Sequence, residues 1–278
     1  MGTMREKVGI LYQPKSLEAT ELAQRLSNLI KELDASAWVC SAWEENIAKE
    51  CVEGTDLVIC LGGDGTILRA ARIVNPLPIP IASVNLGRVG FLTDLPAYDA
   101  LDAIPSFIRG EGDIEERSML EIKLVKNDNQ GFCALNDAFV GRGERCRLVR
   151  INVKVDDEVV TNYKCDGVIV STATGSTGYS HAAGGPVLHP LSKDMIIKPV
   201  AAHLCSNTAL VLPCNSLIEL EINTTHKAML SVDGQVEVEL SNGDVVVIKG
   251  SEYTTRLLKY KRPKNYYGMI IGKLLERE

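Results

Sequence analysis

Hydrophobic positions in the first hundred residues fall into two alternating patterns. Largely apolar runs at Lys7 to Tyr12, Asp56 to Leu61 and Pro80 to Val84 read as buried strands, with Ala37 to Cys40 a weaker one. Behind Ser16, an N-cap type, Leu22, Leu26, Leu29, Ile30 and Leu33 recur at helical spacing. A second helix is expected from about Thr66 to Ile73. Strands alternating with helices predict an α/β domain with a Rossmann-like parallel sheet covered on both faces. Ligands of such sheets gather at the carboxyl ends of the strands.

The pattern changes near Glu116-Arg117-Ser118. Short β-rich runs follow at Glu121 to Val125, Phe132 to Val140, Leu148 to Val155, Gly167 to Ala173, Leu217 to Ile222 and Val236 to Leu240. Asp156-Asp157, Asp233-Gly234 and Ser241-Asn242-Gly243-Asp244 supply turn chemistry between them. The reading is an N-terminal α/β domain over 1–116 and a mostly antiparallel β domain over 117–278. The basic tail 254–278 is a candidate to pack back on the first domain.

Composition narrows the class. The chain has 278 residues and a net charge of -6, which argues against a nucleic-acid partner held by phosphate contacts. Eight scattered cysteines form no C-x-x-C pair and mostly sit among apolar residues, so they read as reduced packing residues. Four histidines show no metal-ligand spacing. No signal-peptide pattern opens the chain and no apolar run reaches membrane-span length, so no membrane role and a cytoplasmic location are expected.

Three motifs carry chemistry. Gly62-Gly63-Asp64-Gly65-Thr66 lies between a buried strand and a helix. Glycines allow close backbone approach, and amides at a helix start suit an anion such as phosphate. An acidic side chain there is unfavourable unless it binds a cation or takes a proton. The second motif is Asp166-Gly167 running into Thr174-Gly175-Ser176-Thr177-Gly178-Tyr179-Ser180, a strand and a hydroxyl-rich turn suited to ribose, phosphate or an adenine edge. It lacks the first glycine of a G-x-S-x-G elbow. The third is Leu135-Asn136-Asp137, whose amide and carboxylate suit two ribose hydroxyls and whose apolar flanks argue against a plain solvated turn.

With Asn85-Leu86-Gly87-Arg88-Val89-Gly90-Phe91-Leu92-Thr93-Asp94 and Gly184-Gly185-Pro186, these motifs occur in the order that resembles an NAD kinase, from the first strand to Asp233-Gly234-Gln235. The resemblance implies an active site in the crevice between the two domains. It implies transfer of a phosphoryl group from ATP, or polyphosphate, to the 2′-hydroxyl of the adenosine ribose of NAD. Mg²⁺ or another divalent cation would assist. By resemblance, Asp64 is the catalytic base and Gly62, Gly63, Gly65 and Thr66 hold the donor phosphates. Asn136 and Asp137 bind ribose, Thr174, Thr177 and Tyr179 line the adenosine pocket, Phe91 packs near the adenine, and Asp166 contacts the nicotinamide end. The metal would ride on the donor phosphates, with Asp64 a further ligand, and the chain would form a homodimer or homotetramer.

Departures from the family pattern are Asp137 where Glu is frequent, Gly178 where Ala is common, and His181-Ala182 in place of an apolar residue and serine. Lys164 stands where Arg is frequent, and would meet a phosphate as a point charge. Two rivals share features with this reading. A diacylglycerol- or sphingosine-type lipid kinase shares the glycine loop, and a nucleotide sensor would keep the pocket without the chemistry.

Overall fold

The computed structural model describes residues 4–87, 90–125, 131–143, 147–203, 206–260 and 266–275. Arg88 and Val89 of the second glycine motif, Cys146, Cys205 and parts of the basic tail lie outside the described residues. The chain divides into two compact units, Met1–Glu116 with Thr255–Glu278, and Arg117–Thr254.

In the first unit the strands β1 (Lys7–Tyr12), β2 (Ser36–Ser41), β3 (Leu57–Gly62), β4 (Pro80–Asn85) and β5 (Leu95–Pro96) alternate with α1 (Leu17–Glu32), α2 (Glu45–Cys51), α3 (Asp64–Val74) and α4 (Ala100–Ile108). The strand order is β2-β1-β3-β4, with every pairing parallel. The carboxyl end of the strand Val245–Lys259 adds to β4 in parallel, Leu257 opposite Ile81. The expected parallel sheet is borne out. β3 is buried at all six positions, as a strand covered on both faces must be. Ser16 caps α1 by accepting the Ala19 N–H at 3.1 Å, and Leu22, Leu26 and Ile30 form its buried stripe. The helix expected from Thr66 starts at Asp64 instead, because Gly63 is its N-cap and an acidic residue is stable in a first turn.

The second unit is an antiparallel sandwich. Its strands are β6 (Asp113–Leu124), β7 (Gly131–Ala134), β8 (Asp137–Arg142), β9 (Val149–Val155), β10 (Glu158–Cys165), β11 (Gly167–Ser171), β12 (Met195–Val200), β13 (Leu210–Leu212), β14 (Ile218–Asn223), β15 (Ala228–Val232), β16 (Val236–Leu240) and β17 (Val245–Lys259). One sheet runs β13-β12-β11-β8-β15-β16, and the other contains β10-β9-β14-β17. Alternate residues of the facing strands, Val140, Val168, Val170 and Leu230 on one side and Ile151, Val153, Leu220 and Ile248 on the other, form one core. The turn readings hold where backbone angles require them: Asp156, Asp157, Asp233, Gly234 and Gly243 all have positive φ. The single strand expected over Phe132 to Val140 is corrected. It breaks at Leu135-Asn136, where the chain turns away from the ladder to make long-range hydrogen bonds.

Candidate functional site

In the first unit, β3 ends at Gly62 and α3 begins two residues later, so the glycine loop joins a buried strand to an eleven-residue helix. A side chain built at Gly63 would meet nothing within 4 Å, so open space borders the loop. Thr66 is buried, and its N–H donates to the Gly63 carbonyl at 2.9 Å, fixing the first turn. The N–H groups at the start of a helix have no partner within it and carry its positive end, which suits a phosphate at this loop.

Asp64 is half-buried and faces a second loop. Its Oδ2 accepts the Phe91 N–H at 2.9 Å, and its Oδ1 accepts the N–H groups of Leu92 and Thr93 at 3.0 and 3.3 Å. Gly90 permits this approach, since a Cβ there would lie 2.1 Å from Asp64 Oδ1. An ionised carboxylate offers about four lone-pair positions, so three amides leave roughly one for a ligand. Asp64 therefore seats the turn that carries Phe91. That turn is gripped on its carbonyl side as well. Lys259 Nζ and Ser83 Oγ donate to the Leu92 carbonyl at 3.2 and 3.3 Å, and Lys273 Nζ to the Gly90 carbonyl at 2.5 Å. The Lys273 ammonium also stands 5.8 Å from the Phe91 ring centroid. Sequence reasoning missed both lysines; the tail's basic character was their only trace.

In the second unit the Leu135–Asp137 segment meets the hydroxyl-rich turn. The Asn136 carbonyl accepts the Thr172 N–H at 2.9 Å, and Thr172 Oγ1 donates to the Leu135 carbonyl at 2.6 Å. Gly175 packs so closely that a Cβ would lie 2.1 Å from the Asn136 oxygen. Asp137 opens β8 opposite Ser171 and is 8% exposed. No described residue makes a hydrogen bond to its carboxyl, and the Tyr179 phenol stands near enough to feel its charge. Burial, and then the neighbouring Asp233 carboxylate, push its pKa up to about 7. A buried carboxyl without a donor is costly unless something else fills that role, and a sugar hydroxyl would.

Asp166 and Tyr179 share this neighbourhood. Asp166 lies 3.4 Å from Arg142 Nε, and the Tyr179 phenol is pushed up by burial first, then by Asp166 and Asp137. The Tyr179 ring packs on Phe139 at 5.5 Å between centroids, a support the sequence did not reveal. The turn hydroxyls largely serve the fold. Thr177 Oγ1 donates to the Thr174 carbonyl at 3.3 Å, Thr174 Oγ1 accepts from Arg117 at 3.2 Å, and Ser176 Oγ donates to Ala173 at 2.6 Å. Lys164 lines a shallow cavity of about 530 Å³ with Arg147, Arg150 and His226.

Comparison with known proteins places the chain in a family. Residues 12–112 match the family described as the ATP-NAD kinase N-terminal domain, and residues 135–260 match the ATP-NAD kinase C-terminal domain. A Dehalococcoides mccartyi protein named NAD kinase is 43% identical over 95% of this chain and 94% of its own length. One from Chloroflexus aurantiacus is 33% identical over 98% and 99%. Among solved structures, yeast NADH kinase complexed with NADH superposes with a TM-score of 0.89 at 25% identity, covering 98% of this chain and 88% of that one. An Archaeoglobus fulgidus NAD kinase in complex with ATP gives 0.78 at 26% identity, covering 97% and 98%.

Proposed function

The chain belongs to the NAD kinase family, and from that premise we propose that it moves the terminal phosphoryl group of ATP to the 2′-hydroxyl of the adenosine ribose of NAD, giving NADP. The observation that carries the site assignment is the half-buried Asp64 at the start of α3, inside a loop otherwise suited to phosphate. The clamp it makes on the Phe91 turn would serve a pure binder as well; the acceptor position left over is what serves a base. Neither the lipid-kinase nor the sensor reading finds support in the relatives.

The 2′-oxygen attacks the terminal phosphorus, the bond to the bridging oxygen breaks, and ADP leaves. Asp64 uses its remaining acceptor position to orient the hydroxyl and take its proton. Gly62, Gly63, Gly65 and Thr66 cradle the donor phosphates at the helix start. Asn136 and Asp137 bind the ribose, Tyr179 packs on the adenosine with Thr174 and Thr177 shaping that wall, and Phe91 sits against the adenine. Asp166 meets the nicotinamide end, and Lys164 supplies a point charge for a phosphate. Titrating near neutrality, Asp137 accepts from a hydroxyl when ionised and donates to one when protonated.

A divalent cation fits this donor set only as a passenger. No group of three or more His, Cys, Asp or Glu side chains able to hold an ion occurs among the described residues. Mg²⁺ carried by the donor phosphates, keeping most of its water and touching Asp64, suits one carboxylate at the loop. When bound, it would offset charge on the transferring phosphoryl group. We further infer a cytoplasmic homo-oligomer, from the family resemblance and from six described cysteines that are thiols. No helix among the described residues is long and apolar enough to cross a membrane.

The test is formation of NADP⁺ from NAD⁺, ATP and Mg²⁺, coupled to an NADP-specific dehydrogenase. Parallel runs replace ATP by polyphosphate and NAD⁺ by NADH. Product with at least one donor is expected, and absence of product with every donor and acceptor would overturn the assignment.

A further inference from the structure

Asp233 follows β15 in the turn Val232–Gln235, closed by the Gln235 N–H donating to the Val232 carbonyl at 2.9 Å. Asp233 and Gly234 both have positive φ, 51° and 63°, so an Asp-Gly pair suits the turn by itself. The side chain does more than the turn asks. Its Oδ2 accepts the Leu135 N–H at 3.0 Å, and its Oδ1 accepts the N–H groups of Asn136 and Asp137 at 2.8 and 3.0 Å. Its own N–H donates to the Asp137 carbonyl at 2.9 Å. Four hydrogen bonds thus tie a hairpin tip to the segment where β7 breaks off and β8 begins, about a hundred residues earlier in the chain.

A turn-forming role alone would be met equally by asparagine, which shares aspartate's tolerance of positive φ. Acceptance from three successive amides is not, because an Asn side chain turns an NH₂ group toward at least one N–H. We propose that Asp233 is the positioning residue of the acceptor site: its carboxylate fixes the turn from which Asn136 and Asp137 leave the sheet, and so sets where both side chains meet the ribose. This rests on the reading of Asn136 and Asp137 as ribose ligands.

The same carboxylate gives the pair a pH dependence. Burial acts first on Asp137 and Asp233 second, and together they hold it near neutrality. The other ionisable groups around it are Tyr179, from the short helix after the hydroxyl-rich turn, and the Arg142–Asp166 pair beside that tyrosine. Loss of the Asp233 charge lowers the Asp137 midpoint and leaves it above the ordinary carboxylate range, since burial remains.

The experiment compares Asp233→Asn, Asp233→Gly and Asn136→Ala with the wild type, measuring KM for NAD, KM for ATP, kcat and Tm. KM for NAD is followed from about pH 5.5 to 8.5. Both Asp233 variants are expected to raise KM for NAD by about tenfold or more, with kcat at saturating NAD and KM for ATP within roughly threefold of wild type. The midpoint of the pH profile should move to lower pH in Asp233→Asn. A lower Tm with unchanged KM for NAD and an unmoved pH midpoint would reduce Asp233 to a hairpin staple and overturn the proposal. If Asp233→Gly does not fold, Asp233→Asn decides, since it keeps the turn preference. Asn136→Ala separates the two claims. If it leaves KM for NAD unchanged, the ribose-ligand reading falls; if it raises KM and the Asp233 variants do not, only the role of Asp233 falls.

Discussion

Replacing Asp64 by Asn tests chemistry and architecture at once, and the structure says how much each contributes. The carboxylate accepts from Phe91, Leu92 and Thr93. In the better rotamer, the Asn oxygen keeps Leu92 and Thr93 while its NH₂ group faces the Phe91 N–H. Losing that half-buried hydrogen bond costs about 1–2 kcal/mol, and the two surviving bonds lose the strength that a charged acceptor gives, about 1 kcal/mol more in total. A loss of about 2–3 kcal/mol corresponds to a Tm lowered by roughly 5–10 °C in a unit of this size. Loss of the proton acceptor should separately lower kcat by roughly 10²–10⁴. KM for NAD should rise modestly, because the released turn carries Phe91. Calorimetry and steady-state kinetics on the same preparation read both effects. An unchanged Tm would refute the clamp, and a kcat within tenfold of wild type would refute the base.

Other outcomes follow from the second unit and the core. Asn136→Ala should raise KM for NAD about tenfold with little change in kcat, which a saturation curve checks. Asp137 binds its proton more tightly folded than unfolded, so its contribution to stability is complete below about pH 4 and is lost as pH rises toward 7. Asp137→Asn should therefore flatten the fall in Tm between those values, measured against wild type at each pH. Burial pushes the Cys60 thiol up, and Cys60 is 1% exposed, so iodoacetamide at pH 8 should leave it unmodified in the native protein while labelling it in denaturant, as peptide mass mapping would report.

The sequence made the local features legible and hid the distant ones. Continuous apolar runs located β1, β3 and β4, and the glycine loop marked the end of β3, because burial on both faces keeps the middle of each strand mostly apolar. α2 escaped because its seven residues bury only Ala48 and its N-cap Glu44 makes no side-chain capping bond. α4 escaped because Pro105 lies inside it and most of its residues are apolar, which blurs the helical stripe. β10 is exposed along most of its length and reads as polar chain. In the candidate site, the motifs pointed to Asp64, Asn136 and Asp137, but the partners of these residues come from far along the chain. Asp233 reaches Leu135 across 98 positions, and Lys273 reaches Gly90 across 183, and no local pattern encodes such pairs. The hydroxyls near Thr174 have a second use that composition did not reveal: much of their hydrogen bonding closes the turn itself.

The most direct test of the account is a single-turnover reaction of wild-type protein and Asp64→Asn with NAD⁺, ATP and Mg²⁺, the product read by ³¹P NMR. One new phosphomonoester on the 2′-oxygen of the adenosine ribose is expected, formed by the wild type and almost absent with the variant. A phosphate on another oxygen, or equal product from both proteins, would contradict it.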